Sequence, residues 1–175
     1  MRMPLLLALA LAACSDREAD APTLSNEQVA REVGRLRFQP GAWETRTEVR
    51  SIEVPGAPAE LVEGALGRTG QTQVTRSCLS QAQAANPDAG FLAGNAQGNC
   101  RAERLDMAGG RIDGRFICRP EGVPGTATAD VAGTYTRTAF RSDVRSRIDL
   151  TGLPDVSLAV TVTSRRVGEC GGAEA

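Results

Sequence analysis

The chain has 175 residues with 20 basic and 21 acidic side chains, every cation is an arginine, and there is no histidine. Without His there is no Ser-His-Asp or Cys-His catalysis and no imidazole metal site, and without Lys there is no Schiff base and no P-loop lysine. The near-balance of charge gives no overall field to draw in nucleic acid or anionic lipid, and with 3 % aromatic residues the core must come mainly from Val, Leu, Ile and Ala.

Arg2 supplies the positive n-region of an export signal, and Leu5 to Ala13 form its apolar run. That run falls far short of the roughly 20 residues a membrane-spanning helix needs. Leu11-Ala12-Ala13-Cys14 resembles the bacterial lipobox. The resemblance implies that residues 1–13 are a signal peptide, that the Cys14 thiol receives a diacylglyceryl group, and that a further acyl chain joins the new amino terminus. At about 0.8 kcal/mol per buried methylene, two or three acyl chains hold a protein at a membrane essentially permanently. An ordinary secretory peptide with a cysteine near its cut site is the competing reading. Either way the chain is exported, and the lipobox reading places it in the bacterial cell envelope facing the periplasm. Ser15, rather than Asp, follows Cys14, which by the same resemblance favours the outer over the inner membrane. Residues 14–24 are polar, charged and Pro-containing, the composition of a flexible tether.

Residues 25–170 read as a single disulfide-supported β domain, followed by a tail at 171–175. Ser25 with Gln28 forms a capping box, and Val29, Ala30, Val33 and Leu36 recur at helical spacing, predicting a short helix over 25–37 that Gly34 weakens. After Pro40-Gly41 the pattern turns to strand from Ala42 to Val54. Residues 57–70 read as a loop with a helical turn around Glu60 to Leu66, and "QTQVTRSC" as a short strand ending at Cys78. "LSQAQAA" predicts a second short helix, and 86–99 a Gly/Asn-rich loop.

If Cys14 is lipidated, Cys78, Cys100, Cys118 and Cys170 remain, an even number in an oxidising compartment, so two disulfides are expected. Four free buried thiols are the alternative. No pair has CxxC spacing, so neither a redox motif nor a zinc ribbon is supported. Gly109-Gly110 lies near the centre of the segment from Cys100 to Cys118, a hairpin signal. A three-residue loop, Ala108 to Gly110, sets Cys100 opposite Cys118. A two-residue Gly-Gly turn instead places Leu105 and Met107 on the face of Ile112 and Phe116, with Cys100 on the face opposite to Cys118. The two demands conflict unless a β-bulge shifts the register. We favour Cys100–Cys118, leaving Cys78–Cys170.

Residues 126–138 carry Val131 and Tyr135 on one parity. Phe140, Val144, Ile148 and Leu150 then alternate with Arg141, Asp143, Arg145, Arg147 and Asp149, a half-buried strand with one wet face. Val156, Leu158, Val160 and Val162 alternate again before "SRRVGEC". The fold class is therefore mainly β: an antiparallel sheet or partly open barrel of about seven strands, with the two short helices.

"PGAWE" (Pro40 to Glu44), Cys100 and Cys118 around a hairpin, "RRVGEC" (Arg165 to Cys170) and the lipobox occur here in one order. Over residues 37–170 the chain resembles the short bacterial envelope proteins classed as domain of unknown function 3617. The resemblance implies export and a disulfide-supported β domain, and carries no activity, cofactor or catalytic residue. Trp43 reads as a core anchor rather than a ligand platform, and Arg165 and Arg166 as solvated strand-end charge rather than partners of carboxylates or contacts to an anionic partner. Glu103, Asp106 and Asp113 cluster near one turn, where solvated charge is favoured over a catalytic carboxylate pair. The expectation is a lipid-anchored, non-enzymatic interaction or structural module without cofactor, metal or nucleic acid. The alternative is a binder of a small apolar ligand in a curled sheet.

Overall fold

The computed structural model describes residues 23–85, 99–119 and 124–171. Cys14, the signal segment, nearly all of the tether, the loop at 86–98 and the tail from 172 lie outside the described residues. Seven strands form one sheet: β1 (Gly41–Glu53), β2 (Thr72–Leu79), β3 (Asn99–Asp106), β4 (Arg111–Arg119), β5 (Gly125–Tyr135), β6 (Ala139–Leu150) and β7 (Val156–Gly168). Their order is β2-β1-β7-β6-β5-β4-β3, and every neighbouring pair is antiparallel. The sheet is not closed, with β2 and β3 at its edges. From β3 to β7 the chain meanders. The hairpin β1–β2 joins the far side of β7, so the first and last strands of the sequence lie side by side.

Three short helices accompany the sheet: α1 (Asn26–Val33), α2 (Ala59–Leu66) and α3 (Gln81–Ala85). α1 begins where the capping box requires, with Gln28 N–H donating to Ser25 Oγ and Ser25 N–H to Gln28 Oε1. It stops at Gly34, four residues short of the predicted span. Glycine there lowers the helix preference, and Arg35 and Leu36 continue as tighter turns, donating to the carbonyls of Glu32 and Val33. Arg37, at φ 47°, then reverses the chain and delivers Phe38 to the sheet. The helical turn expected near Glu60 is a full two-turn helix that lies against β1. α3 repeats the capping box, with Ser80 and Gln83 as its reciprocal pair.

The core lies at one end of the inner sheet face, where α1 and the turn after it cover the strands. Val33, Leu36 and Phe38 pack there with Trp43, Leu105, Met107, Ile112, Phe116 and Val131, all buried. Phe38 is the common neighbour of the aromatic residues. Its ring centroid lies 5.1 Å from that of Trp43 on β1, 5.8 Å from Phe140 on β6 and 6.3 Å from Tyr135 on β5. With so few aromatics in the chain, gathering four of them concentrates the largest apolar side chains at one point.

The β3–β4 hairpin satisfies both demands of its sequence. Near the turn, Asp106 pairs with Asp113 and Leu105 with Gly114, the register of a Gly-Gly turn. Beyond a bulge between Ala102 and Arg104, Ala102 pairs with Phe116 and Cys100 with Cys118, the register of a three-residue loop. Gly109 and Gly110 take φ of 62° and 75°, which L-residues with a Cβ adopt only with strain. The bulge leaves Glu103 and Arg104 together on the outer face, while Ala102, Leu105 and Met107 all point into the core. Cys100 is bridged to Cys118 across this hairpin, and Cys78 at the end of β2 to Cys170 after β7. The second bridge spans β1, which runs between those two strands, near Gly41. Gly41 takes φ of 133°, and a Cβ there would collide with the carbonyl of Gly168 and the guanidinium of Arg166.

Candidate functional site

The ladder registers define two unlike faces. On the inner face, past the filled core, a mainly aliphatic surface crosses β1, β7, β6 and β5, broken by Ser146 opposite Leu158. Val49 pairs with Val160, Val156 with Ile148, and Ile148 with Ala127, while Leu158 lies between them on β7. All are half-buried rather than buried, and none belongs to the core cluster. The strict alternation of β6 produces this, because every second residue must follow Phe140 and Val144 onto the same side.

The outer face is a lattice of charges. Glu44 is buried, with Arg76 of β2 on one side and Arg165 of β7 on the other, as the register dictates. Arg76 Nη2 donates to Glu44 Oε2 at 3.1 Å and Arg165 Nη2 to Oε1 at 3.2 Å. Arg46 Nε lies 3.9 Å from Oε1. The hydrogen bonds from Arg165 and then Arg76 hold the Glu44 carboxyl below its ordinary value of 4.5, against the opposing effect of burial. Farther along, Arg115 pairs with Glu103 at 2.9 Å and with Asp130 at 2.8 Å, and these partners raise its pKa, Asp130 foremost.

The lowered Glu44 pKa has a consequence for stability. A carboxyl whose folded-state pKa is depressed stabilises the fold above its unfolded pKa, and that contribution fades as pH falls through the folded value. Urea midpoints measured from pH 7 downward should therefore show wild type losing stability below about pH 4.5, the unfolded reference. Glu44→Gln is expected to start lower at pH 7 and to lack that part of the acid limb. Parallel pH profiles for the two proteins would exclude this role for Glu44.

Trp43 is 2 % exposed, its Nε1 donates to the Gln39 carbonyl at 3.1 Å, and its ring meets Phe38 edge-on. It is a core anchor. The acids near the turn do not converge. Glu103 binds Arg115, Asp113 binds Arg104 at 2.6 Å, and Asp106 accepts from the Ala108 N–H at 2.9 Å. The reading of Arg165 and Arg166 as solvated strand-end charge needs correction. Arg165 is exposed but bound to Glu44. The Arg166 side chain is only 21 % exposed, donates from Nε to the Pro40 carbonyl at 2.7 Å and pairs with Glu169. Regular alternation along β7, in which Arg166 shares the parity of Val160, Val162 and Ser164 and pairs with Trp43, sets Arg166 on the inner side, where it ties the start of β1 to the end of β7. Sequence reading missed Glu44 because its partners are 32 and 121 residues away.

Among the described residues no group of three or more Cys, Asp or Glu has metal-binding geometry, and no helix is long and apolar enough to cross a membrane. No curated protein and no solved structure matches the chain. A family model matches residues 38–170, a span that contains Trp43, Glu44, all four bridged cysteines and the Arg165-Arg166 pair. The chain belongs to the family described as Protein of unknown function (DUF3617).

Proposed function

We propose that this protein is a lipid-anchored envelope module that works by binding a protein partner, not by catalysis. The half-buried aliphatic surface on the inner face carries this reading. It crosses four strands, about 14 Å, and along β7 it runs from Val156 to Val160, about 13 Å. Apolar side chains grouped on one sheet face in this way mark interaction sites on monomeric proteins. The open sheet favours a partner with its own extended apolar surface over a small molecule, which a site normally encloses on most sides. The partner's remaining contacts would fall on the polar rim around this patch, as in protein interfaces generally.

Native mass spectrometry of the protein released from its own envelope tests the reading. A co-purifying polypeptide is expected, and Leu158→Asn or Ile148→Asn should remove it while circular dichroism shows the sheet intact. A small-molecule adduct lost in the same variants would favour the apolar-ligand reading instead. Retention of the partner by both variants would rule out this face. Anchoring is tested separately. Cys14→Ser is expected to move the protein from the membrane to the soluble fraction and to remove the acyl mass from the intact chain. Unchanged fractionation would defeat the anchor.

A further inference from the structure

The outer face gathers more positive charge around Glu44 than that carboxylate neutralises. Arg46, Arg76 and Arg165 surround it, and no other carboxylate lies within ion-pair distance of them among the described residues. One negative charge against three positive leaves an excess of two. The acid side chain is 8 % exposed, whereas those of Arg46, Arg76 and Arg165 are 59 %, 72 % and 66 % exposed. A guanidinium offers five N–H donors. Arg165 spends one on Glu44, Arg76 two, and Arg46 makes only the longer charge contact. Most of the donors on three adjacent strands therefore face solvent from one small area.

A purely structural ion pair for a buried glutamate needs no such surplus, because mutual repulsion of the guanidiniums opposes each addition. Glu44 lies within 4 Å of all three guanidiniums and accepts hydrogen bonds from Arg76 and Arg165. The whole chain is close to neutral, so the excess is a local segregation of charge.

We propose that Arg46, Arg76 and Arg165 form a binding site for a doubly charged oxyanion of the phosphate monoester type. Two negative charges match the excess, and oxygens spread over a tetrahedron accept from planar guanidinium forks. The same chemistry arises from a free phosphate or from the monoester headgroup of phosphatidic acid.

Titration of the purified full chain with inorganic phosphate at constant ionic strength, followed by NMR, tests this. The amides of Arg46, Arg76 and Arg165 are expected to shift, with binding weaker at pH 5 than at pH 8 because the dianion is lost. Arg46→Gln removes the longest of the three contacts and should weaken binding about tenfold, the worth of one exposed charge-assisted hydrogen bond. Arg76→Gln should do the same, and Arg111→Gln, elsewhere on the face, should change nothing. Flotation of the Cys14→Ser chain, which lacks the acyl anchor, with vesicles of phosphatidic acid in phosphatidylcholine, against phosphatidylcholine alone, distinguishes the source. Phosphate binding without flotation assigns a soluble ligand, and flotation lost in Arg46→Gln assigns a headgroup. Should a variant fail to fold, the pH dependence in wild type still decides. No shift and no flotation, or responses indifferent to pH and to both variants, would overturn the site.

Discussion

Replacing Cys78 and Cys170 together with serine is expected to cost about 4–5 kcal/mol of folding stability, the larger of the two disulfide losses. The two bridges close loops of very different length. Cys78 and Cys170 are 92 residues apart, and Cys100 and Cys118 are 18 apart. Loop-closure entropy removed from the unfolded chain grows with the logarithm of that length, giving about 4.5 kcal/mol for the long bridge and about 3 kcal/mol for the short one. The long bridge also has a topological role. It joins β2 to the end of β7 on either side of β1, so it holds the N-terminal hairpin to the last strand. Urea denaturation of the Cys78→Ser/Cys170→Ser and Cys100→Ser/Cys118→Ser double variants measures the two losses. If the short bridge proves the more costly, native-state strain or residual unfolded structure, rather than loop length, sets its contribution.

Trp43→Ala is expected to cost about 3–5 kcal/mol, the range for truncating a buried aromatic residue. The side chain is 2 % exposed and fills the junction between β1 and Phe38. Its loss leaves a cavity at the point where the chain has concentrated its few aromatic rings. Trp43→Phe keeps an edge-on contact with Phe38 but leaves the Gln39 carbonyl without its indole donor. Its cost should be clearly smaller. Far-ultraviolet circular dichroism is the suitable measurement, since Trp43 is the only tryptophan and its fluorescence disappears with it. Equal losses in the two variants would mean that the indole hydrogen bond, not packing volume, carries the effect.

These expectations rest on residues whose roles were legible to different degrees. The β6 strand could be read directly, because alternation over eleven positions admits one arrangement of wet and dry faces. So could the cap of α1, where Ser25 and Gln28 are three residues apart and satisfy each other's backbone. The hairpin was legible only as a conflict. The Gly-Gly turn and the cysteine pair require registers that differ by one residue, and a bulge between Ala102 and Arg104 satisfies both. The sequence contains that requirement but does not say which residue absorbs it.

By itself, the sequence determined the elements: where strands run, which parity faces the core, where turns occur and how α1 begins. Each of those depends on neighbours within a few residues, so local sterics and hydrogen bonding suffice. Tertiary structure alone decided the strand order, with β1 between β2 and β7. It also decided the contact of Arg166 with the Pro40 carbonyl and the gathering of three arginines on Glu44. Those features join segments as far as 126 residues apart, and no local preference distinguishes the partners. Their selection comes from burying one continuous apolar face while keeping every buried charge paired.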